Sequence, residues 1–182
     1  MADYTQAFNY MMDDEDAQRK GEVTPDPSAS HADAVARFGI NSGACPDALS
    51  EGFYTMPTDQ ALQWAATYYK FHYFIEMGGY RIIAQDICNK LFSLAVNAGY
   101  VEANKIGQRA ANQCLTPVAI GYLPLHVDGI CGDQTIQALN AAHPEELLPA
   151  IKSYACQFYR DVAFRQSWPP RKLAALLARA NR

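Results

Sequence analysis

Apolar positions near the start of the chain recur one helical turn apart. Phe8, Met11, Met12 and Glu15 fall at i, i+3, i+4 and i+7, so residues 4–15 read as a helix whose apolar stripe ends on a carboxylate. The pattern then lapses. Gly21, Pro25, Pro27, Gly39, Gly43, Pro46, Gly52 and Pro57 punctuate residues 21–57 and predict loop, turn and a small hairpin. Loops of this length are usually functional or disordered, and Phe38, Ile40, Phe53 and Tyr54 favour an ordered one. From Thr58, read as an N-cap with Asp59 in the first turn, helical spacing returns to about Tyr73, with Leu62, Ala65, Tyr69 and His72 on one side. Residues 82–98 are apolar nearly all round and predict the central buried helix, stopped at Gly99. Further helices are expected over about 101–114, from Asp133 to about Ala142, and over 145–166 with Leu148, Ile151, Ala155, Phe158 and Val162 inward. Pro169-Pro170 breaks the last of these, and a small helix runs to near Asn181. The fold class expected is mainly α, with an irregular loop or small hairpin after the first helix.

Composition narrows the function. The 182 residues suffice for one domain, or one with an appendage, and 49% are hydrophobic. A net charge of -4 gives no general attraction to nucleic acid. No apolar run is long enough to span a bilayer, and the opening Met-Ala-Asp-Tyr-Thr-Gln lacks the features of a secretory signal. The expectation is synthesis in the cytoplasm without a signal peptide. The five cysteines form no CxxC pair and have no His at ligand spacing, so no metal is implied. Cys88 and Cys156 read as buried thiols, whereas Cys114 and Cys131 could pair across a loop. The C-terminal Leu173, Leu176 and Leu177 with Arg171, Lys172, Arg179 and Arg182 have the make-up of an interfacial helix, although an ordinary packing helix is the plainer reading.

Glu15 leads the candidates for chemistry. A glycosidase needs a carboxylic acid to protonate the leaving oxygen, and an apolar setting disfavours the charged form of a carboxyl. By position alone, Glu15 among Asp13, Asp14 and Asp16 is more simply a solvated helix end. The following loop shifts that balance, because Thr24, Asp26 and His31 can bind sugar or polarise water, and a carboxylate there can face Glu15 across a cleft. Glu51, before Gly52-Phe53-Tyr54, is the rival acid but lacks an apolar helix face before it. Asn97 reads equally as a sugar ligand or as a helix cap. Tyr54, Tyr69 and Tyr73 are candidate sugar-stacking walls or core residues. Asp128–Thr135 lacks the alternating acids and closing Glu of a calcium loop and reads as a turn into a helix, with Thr135 capping. No Gly-x-Ser-x-Gly or Cys–His arrangement suggests a nucleophile.

Three stretches together carry a family resemblance. They are Glu15-Asp16 with Gly21-Glu22-Val23-Thr24-Pro25-Asp26 and Arg37-Phe38-Gly39-Ile40; Asn89–Phe92, Ala95–Gly99 and Gln108–Asn112; and Val127–Thr135. In this order they resemble glycoside hydrolase family 108 followed by a peptidoglycan-binding segment, over roughly residues 5–165. The resemblance implies a lysozyme-like helical fold divided into a catalytic region, 1–115, and a peptidoglycan-binding-like segment, 116–182, packed in the same domain. It implies cleavage of the β-1,4 bond from N-acetylmuramic acid to N-acetylglucosamine, with Glu15 as general acid. Asp26, or a water held by Thr24, would act on the far side, and Thr24, Arg37, Tyr54, Tyr69 and Asn97 would bind substrate. No cofactor is implied. The expected partner is the peptidoglycan glycan strand, met by a monomer in the cell wall after release or export. One departure falls between Asp26 and Ala36, where the glycines and later Thr of relatives are missing, which bears on loop geometry and on the second catalytic group. Different readings stand beside this one: a non-catalytic peptidoglycan-binding module, a lytic transglycosylase, or a secreted effector with the same chemistry.

Overall fold

The computed structural model describes residues 1–26, 33–115 and 123–182. His31, Pro117 and Gly121, and most of the departing stretch after Asp26, lie outside the described residues. Helix α1 is Tyr4–Glu15, capped by Asp3, whose side chain accepts from the Gln6 N–H at 2.9 Å. Its Phe8, Met11 and Met12 are buried as the spacing predicted. A three-stranded antiparallel sheet follows: β1 Thr24–Pro25, β2 Val35–Arg37 and β3 Ile40–Asn41, in the order β1-β2-β3. The small hairpin is therefore present. The short helix α2, Pro46–Ser50, leads to α3, Thr58–Tyr69, which runs on through a π-helical turn at Lys70–Phe74.

Helix α4, Gln85–Ala98, is the central one. It packs on α1, on α5 (Tyr100–Leu115) and on α7 (Pro144–Gln166), and buries Ile87, Cys88, Leu91, Phe92, Leu94 and Ala95. It starts three residues later than expected. Ile82 and Ile83 are instead held outside it, because the Ile82 carbonyl accepts from Ala2 N–H at 2.8 Å and the Ile83 N–H donates to Asn140 Oδ1 at 2.9 Å. Gly99, at φ 87°, closes α4. Helix α6 is Asp133–Ala141, and α8, Pro170–Asn181, returns to pack on α7. Among the described residues the chain is mainly helical, consistent with a lysozyme-like helical domain.

Several local expectations are corrected. Thr58 is the first residue of α3, not its cap, and its hydroxyl lies 3.4 Å from the guanidinium of Arg37. His72 is exposed, and the buried face of α3 is Ala61, Ala65 and Tyr69. Thr135 caps nothing. It is buried in α6, donates to the Ile130 carbonyl at 3.0 Å and accepts from Gln108 at 3.1 Å. Gln108 and Asn104 of α5 clasp the Asp128–Ile130 turn, which explains its shape without an ion. Cys114 and Cys131 are free thiols, and Cys131 donates to the Met77 carbonyl.

A buried lysine ties α8 to the centre. Lys90 in α4 is 1% exposed and donates to the Arg179 carbonyl at 2.7 Å. Burial first, then the charges of Lys152, Arg182 and Arg179 against that of Asp14, lower its pKa to about 8 from 10.5. Between those values the unfolded chain binds more protons than the native one, so this group's penalty is relieved as pH rises. Wild type is expected to gain about 2 kcal/mol on Lys90→Met between pH 7.5 and pH 9.5, read from paired urea titrations. Equal shifts in the two proteins would count against a lowered pKa for the buried Lys90.

Candidate active site

The end of α1 and the tip of the β2–β3 hairpin make a cleft of about 310 Å³ lined by Glu15, Asp16, Lys20, Thr24, Phe38 and Gly39, among others. The hairpin pairs Arg37 with Ile40, so Phe38 and Gly39 form a two-residue turn. Both have positive φ, 50° and 79°, as in a type I′ turn. Gly39 suits that geometry, whereas Phe38 adopts it at a cost. Two contacts hold the strained residue. The Phe38 ring is buried under Gly21, and its carbonyl accepts from the Tyr69 hydroxyl at 2.9 Å.

The turn tip closes over Glu15. A Cβ placed on Gly39 would lie 2.6 Å from Glu15 Oε2 and 2.8 Å from the Tyr69 hydroxyl. Only a residue without a side chain lets the backbone come so near the carboxyl. Asp16, next in the chain, accepts from the Gly21 N–H at 2.7 Å and so sets the first bend of the loop. Glu15 is half-buried. Its Oε1 accepts from Arg179 Nη2 of α8 at 2.5 Å, and Arg179 Nε lies 3.3 Å from Asp14 Oδ2.

Of the residues expected at the site, Glu15 and Thr24 line the cleft together. Asp26 does not line it. It follows β1, accepts from the Asn41 side-chain amide, and shares a sheet face with Thr24 and Ala36 by alternation. Arg37 points the other way and is buried, so it does not present its guanidinium to substrate. Its Nε donates to Gly21 O at 2.8 Å and its Nη1 to Phe53 O and Met56 O at 2.8 and 2.7 Å. Tyr69 is 2% exposed and stands behind the turn rather than in a cleft wall. Burial, then the Glu15 charge, raises its pKa well above the ordinary value, so it stays a neutral donor to Phe38. Tyr54 is half-buried, lies 3.3 Å from the Ile40 carbonyl through its hydroxyl, and is not in the cleft lining. Asn97, exposed near the end of α4, accepts from the Tyr159 hydroxyl at 2.8 Å and braces α4 against α7. Glu51 takes the indole N–H of Trp64 at 2.6 Å in a different cleft.

Sequence reasoning did not foresee Arg179, which meets Glu15 across 164 positions of chain, nor the part of Phe38 and Gly39 in shaping the cleft. An Arg-Phe-Gly-Ile run flanked by strand-forming residues does carry a local turn signal. The distant arginine has none. The C-terminal helix is a packing helix. Leu173, Leu176 and Leu177 lie on the core, Lys172 sits 4.1 Å from the Trp168 ring, and Arg182 sits 4.2 Å from the Tyr10 ring. Among the described residues no helix is long and apolar enough to cross a membrane, and no three His, Cys, Asp or Glu side chains gather to hold a metal ion.

Residues 102–180 match a family described as Predicted Peptidoglycan domain. This supports a peptidoglycan-related protein. None of the curated proteins matches the chain. Among solved structures, SagA of Brucella abortus is similar in fold, with a TM-score of 0.60 at 16% identity, over 97% of this chain and 92% of that one. An identity that low speaks to fold alone.

Proposed function

We propose that the protein is a peptidoglycan hydrolase of the N-acetylmuramidase kind, resembling glycoside hydrolase family 108, with Glu15 as its general acid. The observation that carries this is the Glu15 carboxyl at the end of α1, beneath a strained turn tip, with one oxygen held by Arg179 and the other beside Gly39 in the cleft. The match of residues 102–180 to a peptidoglycan family supports the substrate class.

In this reading the strand lies along the cleft and Glu15 gives its proton to the oxygen leaving the muramic acid C1. The C1–O bond breaks, and water adds to C1 from the opposite face. Thr24, which lines the cleft, orients that water. Asp26, on the same sheet face but outside the cleft lining and held by Asn41, takes the water's proton through one intervening water. No cofactor enters. The protein acts on the wall as a monomer, after release or export, and residues 116–182 serve as the strand-holding segment.

Product masses test this. Purified sacculi digested with the protein are expected to give muropeptides with hydrated, reducible muramic acid ends. Anhydromuramic ends, lighter by one water, would make it a lytic transglycosylase. Binding to sacculi without any product would leave a non-catalytic module.

A further inference from the structure

We propose that Arg179 is a positioning residue for Glu15, supplied to the acid's site by the far end of the chain. The inference rests on the reading of Glu15 as proton donor. Arg179 Nη2 donates to Glu15 Oε1 at 2.5 Å, with 15% and 18% of the two side chains exposed. Glu15 Oε2 is the oxygen beside Gly39, and Glu15 and Gly39 both line the cleft. An oxygen already engaged by a guanidinium is a poor seat for a proton. The pairing therefore assigns the transferable proton to Oε2, the oxygen on the Gly39 side. It also fixes the rotation of the carboxyl, which proton transfer in line with a leaving oxygen requires.

The details favour positioning over simple attachment of α8. Attachment would be served best by a two-pronged fork between the guanidinium and Asp14. Instead Nε, buried, lies 3.3 Å from Asp14 Oδ2 without making a hydrogen bond, while the short bond goes to Glu15. A buried donor left unmatched costs free energy, so the geometry is one that serves Glu15 ahead of Asp14. The helix carrying Arg179 is secured separately. Lys90 holds the Arg179 carbonyl, Ala180 is fully buried, and Arg182 reaches Asp14 Oδ2 at 3.1 Å, which Ser93 also contacts at 3.2 Å. Arg179 also belongs to the segment that matches the peptidoglycan family. That segment thus contributes a residue to the acid's surroundings.

The test compares wild type with Arg179→Met, Arg179→Lys and Arg182→Met on solubilised, uncrosslinked glycan strands, all checked for folding by circular dichroism. Arg179→Met is expected to lower kcat by roughly ten- to a hundredfold with KM within about twofold. Arg179→Lys should recover part of kcat, since an ammonium can still hold Oε1. Arg182→Met removes a cation from the same helix end without touching Glu15, and should lower the melting temperature while leaving kcat in place. A wild-type or faster Arg179→Met enzyme overturns the proposal, as does a rise in KM at constant kcat. Glu15→Gln run alongside separates the two failures. If it is inactive while Arg179→Met is normal, only the positioning role falls. If Glu15→Gln is fully active, or wild type has no activity, the reading of Glu15 falls and this proposal with it.

Discussion

Glu15→Gln is expected to slow the clearing of purified sacculi by about 10²–10⁴-fold, the usual worth of a positioned general acid, with little change in melting temperature. The substitution keeps the shape of the side chain and its amide oxygen can still accept from Arg179, while Arg179 retains the charge of Asp14 beside it. The fold therefore loses little, and the chemistry loses the proton. Glu51→Gln is the matched control. Glu51, the rival acid, precedes Gly52-Phe53-Tyr54, but it is bound to Trp64 Nε1 and lines a separate cleft with Gln60, Gln63 and Tyr68. It should clear sacculi at the wild-type rate. A folded Glu15→Gln that clears as fast as wild type would reduce Glu15 to a helix-end carboxylate. A slow Glu51→Gln would move the acid to α2's end.

The contrast between these two acids shows what can be read from sequence. Residues 4–15 form the helix their spacing implies, because Phe8, Met11 and Met12 are local neighbours and a helix is a local object. The same holds for α5 and α7, whose bounds fall within a residue or so of expectation. Where the expectation slipped, a distant partner decided. Ile82 and Ile83 have helical spacing but are drawn off by Ala2 and Asn140. Thr58 and Thr135 have the chemistry of caps, but arginine or glutamine side chains from elsewhere engage them. The site shows the same division. Glu15 and Thr24, close in sequence, share a cleft. Tyr69, Tyr54 and Asn97 were plausible sugar contacts by residue type, yet a phenol or amide looks alike whether it faces solvent or braces a backbone. Which it does depends on residues such as Phe38, Ile40 and Tyr159 that only the fold brings near.

Arg37 is the sharpest instance, and its replacement should produce the largest loss of stability. Arg37→Met is expected to cost about 3–5 kcal/mol, a fall of roughly 10 °C in melting temperature for a chain of this size. Burial lowers the pKa of this guanidinium, but three backbone carbonyls compensate the buried cation, and the rings of Phe38 and Phe53 lie 5.7 and 5.9 Å from it. Replacing a buried ion pair with apolar groups is often harmless because both partners can be removed. Here the partners are the carbonyls of Gly21, Phe53 and Met56, which no side-chain change removes, so methionine would leave all three without this donor. Arg37→Lys should recover only part of the loss. One ammonium cannot stand in for Nε at Gly21 and Nη1 at Phe53 and Met56 together. The network joins the loop after α1 to the stretch before α3 and so holds the hairpin whose tip lies over Glu15. Thermal or urea unfolding decides the matter alongside kinetics. A residue that contacts substrate would raise KM in the methionine variant and leave the melting temperature alone. A residue that holds the scaffold lowers the melting temperature first, and below that temperature the surviving folded enzyme keeps its KM.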